Sequence, residues 1–110
     1  MTFQPLPTIL HLKQGDVLLA VLESCEPVEM FWLGCKFEPT DAFSNVESLF
    51  RQATEALESS SGDGEVFNKC YDKLAEMNVV LVDVEGNRTS RNFIMHIREN
   101  GVDVRLSFEP

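Results

Sequence analysis

No run of apolar residues approaches the ~20 needed to span a bilayer, so a transmembrane helix is excluded. Cysteine is scarce. Cys25, Cys35 and Cys70 cannot close a disulfide set and no CxxC pair occurs, which points to a reducing cytoplasm. The first ten residues lack a basic segment and carry Pro5 and Pro7, so no secretory signal is expected. Basic residues are few: nine Lys and Arg against eighteen Asp and Glu leave a net charge of −9. A field of that sign repels phosphate backbones, and neither nucleic acid nor membrane is an expected partner. The nucleophile-elbow pattern GxSxG and the phosphate-loop pattern GxxxxGK[ST] are both missing.

What remains is ordinary globular composition, 44% apolar and 25% charged, in 110 residues. That length suits one domain, 1–110, able to bury somewhat over ~60% of its unfolded surface without staples. The charge is unevenly placed. Residues 1–65 hold eleven acids against three bases, a net of −8, and residues 66–110 hold seven acids against six bases. The acids serve solubility or dock the first half onto a basic partner.

The first third reads as strands. Thr8 to Lys13 and Val17 to Leu22 flank Gln14-Gly15, a two-residue hairpin turn that sets Lys13 opposite Asp16. Ser24-Cys25-Glu26-Pro27 breaks the pattern, and a third strand follows from Val28 to Phe37. Helices occupy the middle. Thr40 or Asp41 caps the first, with Phe43, Val46, Leu49, Phe50, Ala53 and Leu57 at helical spacing. The Ser59–Gly64 linker precedes a second helix with an apolar stripe of Val66, Phe67, Cys70, Tyr71, Leu74 and Met77. Val79 to Val84 is a strand of mostly β-branched residues, closed by a turn at Glu85-Gly86-Asn87. Asn100-Gly101 is the preferred hairpin dipeptide. Placed at the turn, it sets Ile97 against Val104, Met95 against Leu106 and Phe93 against Phe108, with Arg98 paired to Asp103 and His96 near Arg105.

The order β-β-β-α-α-β-β-β with short connections predicts an α+β, two-layer fold. An antiparallel sheet of five to six strands, flat or strongly curved, carries two helices on one face.

Candidate sites are thin. His11, Cys25, Cys35, Cys70 and His96 are scattered, without the short spacings of structural zinc sites, and Cys25 and Cys35 are not expected to meet. Asp83 to Asn87 alternates like a calcium loop, but Arg88 and Ile94 stand at the positions that need glycine and glutamate, so it reads as a β-turn. The helix after Ser59–Gly64 opens with Asp63 and Glu65, which repel an anion. No catalytic, cofactor or metal residue is assigned.

The informative feature is a surplus. Strands 17–22 and 28–37 are apolar on both faces, whereas an antiparallel sheet with helices on one side should alternate. Either curvature buries both faces within the monomer, or the surplus forms a partner-binding patch. The patch would be anchored by Met30, Phe31, Trp32 and Leu33 and rimmed by Glu23, Glu26 and Glu29. The expectation is a non-enzymatic acidic cytoplasmic protein that binds protein. It would act as a homodimer, or as an inhibitor-, immunity- or chaperone-like binder of a basic partner. The alternative is a small-ligand binder or enzyme with a pocket between sheet and helices, using Tyr71, Cys70 or a histidine as its polar handle.

Overall fold

The computed structural model describes residues 8–29, 32–58 and 64–107. Among them run strands β1 (Leu10–Gln14), β2 (Val17–Glu29) and β3 (Trp32–Pro39), then a 3-10 turn (Asp41–Asn45) leading into α1 (Glu47–Glu58). Helix α2 (Gly64–Glu76) and strands β4 (Val79–Asp83), β5 (Arg88–Ser90), β6 (Asn92–Arg98) and β7 (Gly101–Ser107) complete it. The strands form one antiparallel sheet in the order β5-β4-β1-β2-β3-β7-β6. The α+β layout is as expected. No helix among the described residues is long and apolar enough to cross a membrane.

Curvature follows from connectivity. β5 and β6 lie at opposite ends of the sheet order, yet only Arg91 separates them. Two residues of chain reach about 7 Å at most. The sheet must therefore curl until its two ends come together at Ser90 and Asn92. Among the described residues the expected five to six strands are seven, because this corner splits the stretch after Asn87 into β5 and β6.

Other boundaries moved for physical reasons. β2 does not break at Ser24–Pro27. Ser24 takes a left-handed φ of 51°, and the register passes from Glu23↔Lys36 to Glu26↔Gly34, a bulge that absorbs one residue. Pro27, which cannot donate to the ladder, sits beside a second irregularity before Glu29, where it is tolerated. Val28 thus belongs to β2, and β3 begins at Trp32. In the first hairpin, Gly15 (φ 58°) and Asp16 form the turn, so Gln14 faces Val17 and Lys13 faces Leu18 rather than Asp16.

The last hairpin is shifted by two residues. Arg98 pairs with Gly101, Ile97 with Val102, Met95 with Val104 and Phe93 with Leu106, placing Glu99 and Asn100 at the turn. The glycine is needed elsewhere: a Cβ on Gly101 would lie 2.4 Å from the carbonyl oxygen of Cys35. A shift of two preserves the faces, since side chains alternate with period two. Arg98 and Asp103 still bridge at 3.1 Å, now as a diagonal pair. His96 faces Asp103. Phe108 lies outside the described residues.

Thr40 stands at the N-terminus of the 3-10 turn without capping it. Its hydroxyl turns to the carbonyls of Leu18 and Leu19, at 2.7 and 3.0 Å, and ties the helical layer to the β1–β2 bulge. Phe43, Val46, Phe50 and Ala53 are buried as their spacing requires, and α2 contributes Cys70 and Leu74. Phe37, Phe43, Phe50, Tyr71 and Phe93 form a connected aromatic series with centroids 5.0–6.3 Å apart. Glu47 and Arg51 form an (i, i+4) ion pair at 2.9 Å on the polar side of α1.

Candidate partner-binding face

Helices α1 and α2 pack on the inner face of the sheet, where Phe50 and Tyr71 meet Phe93, and no helix among the described residues lies on the outer face. The surplus in residues 17–37 divides between the two. A register shift between Leu12 and Lys13 sets Lys13 opposite Leu18 and Leu12 opposite Ala20, leaving Leu19 unpaired. Leu19 and Ala20, neighbours in sequence, are both fully buried. The bulges of β2 and the plain alternation of β3 thus send Leu19, Ala20, Leu22, Cys25, Leu33 and Cys35 into the core. Leu18, Val21, Val28 and Trp32 stay on the outer face, Val28 exposed and the others half-buried.

The predicted anchors separate accordingly. Met30 and Phe31 lie outside the described residues, as does the side chain of Glu29. Leu33 is 6% exposed and belongs to the core, so it cannot anchor a partner. Trp32, Glu23 and Glu26 share the outer face by register, the two glutamates exposed. Val28 folds over Gly34 there, where an added Cβ would meet its Cγ1 at 2.8 Å.

The apolar outer surface also extends where no anchor was expected. The paired rows Val82–His11–Val21 and Val80–Lys13–Leu18 cross β4, β1 and β2. Val84 at 49% and Ile9 at 38% exposure border them. The signal was present in Val79–Val84, a strand apolar on both parities with burial on only one, since Val79 and Leu81 are buried and Val80 and Val82 are not.

Charge distinguishes this face from the rest. Among the described side chains, register places Lys13, Lys36, Arg98 and Arg105 on it against Glu23, Glu26, Glu38 and Asp103. Four bases balance four acids. The helical segment 41–76, by contrast, holds eight acids and three bases, a net of −5.

The cysteines overturn one expectation. The bulge at Ser24 brings Cys25 across from Cys35, and the two thiols interact. The hydrogen bond from Cys35 lowers the Cys25 thiol against the opposing effect of burial, while the same bond, burial and the nearby Cys25 and Asp103 charges raise that of Cys35. The Cys25 Sγ also lies 3.7 Å from the Leu22 carbonyl oxygen.

A cleft of about 380 Å³ opens between α2 and the β6–β7 end of the sheet, lined by Phe67, Tyr71, Phe93 and Leu106 with Arg91 and Arg105. The polar handles expected for a ligand are engaged or directed elsewhere. The Tyr71 hydroxyl binds the backbone of Met95, Cys70 faces a groove between the helices with Leu49 and Met77, and His11 and His96 lie on the outer face. Compared with protein-family models, curated proteins and solved structures, the chain matches none.

Proposed function

We propose that this chain is a non-catalytic association module that pairs with a second copy of itself through the outer face of its sheet, centred on β4, β1 and β2. The observation that carries the reading is the set of apolar side chains Val80, Val82, Leu18 and Val21, paired across His11 and Lys13 on a sheet face that no helix among the described residues covers. An antiparallel sheet facing only water should be polar there. A second copy is the occupant that charge favours. Two chains of net −9 repel across their acidic helical surfaces, whereas the balanced outer faces can meet with lysines of one copy beside glutamates of the other. The rotation that relates two identical copies makes such a face self-complementary.

Sedimentation equilibrium over a wide concentration range tests this. The wild-type chain is expected to shift from monomer to dimer with rising concentration. Val82→Lys, on the uncovered face and away from the core, is expected to remain monomeric with unchanged circular dichroism. A wild-type chain that stays monomeric throughout would reject the reading, as would a Val82→Lys variant that dimerises equally well.

A further inference from the structure

Cys25 and Cys35 form a second feature, independent of the outer face. The register pairs Glu23 with Lys36 and Glu26 with Gly34, so the bulged Ser24-Cys25 step lies directly across from Cys35. Opposed residues on antiparallel strands have Cα atoms about 4.5–5.5 Å apart, within the span a disulfide bridges. Both side chains point to the inner face and both join the core cluster. Both are buried, with exposures of 7% and 5%, which screens the pair from the thiols of other proteins. Cys70 is buried on α2, outside the core cluster that holds this pair.

We propose that Cys25 and Cys35 are an oxidation site for small hydroperoxides, which convert the pair to an intrachain disulfide joining β2 to β3. The Cys25 thiolate attacks one peroxide oxygen. An S–O bond forms, the O–O bond breaks, and the leaving hydroxide takes a proton from solvent, equal to the one Cys25 released on ionising, to depart as water. The sulfur of Cys35 then attacks the sulfenic sulfur of Cys25. An S–S bond forms, the S–O bond breaks, and the hydroxyl leaves as a second water with the proton of Cys35. Two thiols lose two electrons and two protons, and hydrogen peroxide is reduced to two waters. Cys25 is the attacking member because Cys35, opposite it across the bulge, holds its thiol below the ordinary value against the effect of burial.

The test uses the full chain, reduced, freed of reductant and treated with hydrogen peroxide. Intact mass is expected to fall by two hydrogens, and proteolysis without reduction should yield one linked peptide pair containing Cys25 and Cys35. Under denaturing alkylation one thiol, Cys70, should remain of the original three. Reductant should restore all of them, and thermal midpoint should rise on oxidation and return on reduction. In Cys35→Ser, which keeps a donor beside Cys25 but cannot form the S–S bond, Cys25 should stop at a sulfenic acid that dimedone traps. Three alkylatable thiols after treatment would overturn the proposal, and so would links between chains or to Cys70. The wild-type measurement decides even if the variant does not fold.

Discussion

The hydroxyl of Tyr71 satisfies both backbone polar groups of Met95, accepting from its N–H at 2.8 Å and donating to its carbonyl at 3.3 Å. β6 is the end strand of the sheet, and Met95 turns these groups away from β7. Thr54 does the same for the next outward amide, its Oγ1 accepting from the N–H of Ile97 at 3.2 Å. Side chains of two helices thus occupy the ladder positions of a missing strand, and the edge is closed to further pairing.

Tyr71→Phe should therefore leave a buried amide and carbonyl unpaired and cost about 1–3 kcal/mol, read from denaturant midpoints at neutral pH. A pH signature accompanies it. Burial pushes the Tyr71 hydroxyl up to about 12 from its ordinary 10, despite the opposing bond to Met95. The folded chain then holds that proton when the unfolded chain has lost it. Tyr71 contributes its full stabilisation below pH ~10 and loses it as pH rises to ~12, a span worth about 3 kcal/mol. The phenylalanine variant should lack that alkaline decline. Tyr71 is the one tyrosine in the sequence, so ultraviolet titration reads its ionisation directly.

Asp83 is 2% exposed and fully bonded: its Oδ2 accepts from Arg88 at 2.7 and 3.1 Å, and its Oδ1 from the Gly86 N–H at 3.2 Å. This staples the β4–β5 turn. Removing Arg88 strands a buried carboxylate, and Arg88→Met should lower stability by about 3 kcal/mol. Asp83→Asn with Arg88→Met should recover part of that loss. A double-mutant cycle by urea denaturation measures the coupling.

Two glycines should respond oppositely to alanine. At Gly101 the new methyl meets the Cys35 carbonyl at 2.4 Å, and β7 can move off β3 only by breaking its ladder. A loss of about 2 kcal/mol or more is expected. At Gly64, the first residue of α2, nothing lies within 4 Å, and Gly64→Ala should be neutral or stabilising by up to about 1 kcal/mol. Thermal denaturation of both variants checks the contrast.

The faces of the last hairpin were legible before its pairs were. Alternation placed Phe93, Met95 and Ile97 with Val104 and Leu106 on one side, and a shift of two residues leaves that intact. Which pair forms depends on the approach of Gly101 to Cys35, a contact across strands that local turn chemistry does not encode. Ser24–Pro27 misleads for a similar reason. Its residues favour a break, but the left-handed Ser24 turns the break into a bulge, and that same bulge seats Cys25 against Cys35. The candidate face was half legible. Apolar residues of both parities in 17–37 signalled a surplus, yet the bulge at Leu19 and plain alternation at Leu33 turned both inward. The outward Val80 and Val82 come from a strand that joins this face only because β4 pairs with β1, far apart in sequence.

Association through the β4-β1-β2 face is most directly tested by following backbone amide chemical shifts as the chain is concentrated. The amides of His11, Val21 and Val82 are expected to move together along a single binding curve while those of α1 and α2 stay fixed. Shifts confined to the helices, or none across the range, would contradict it.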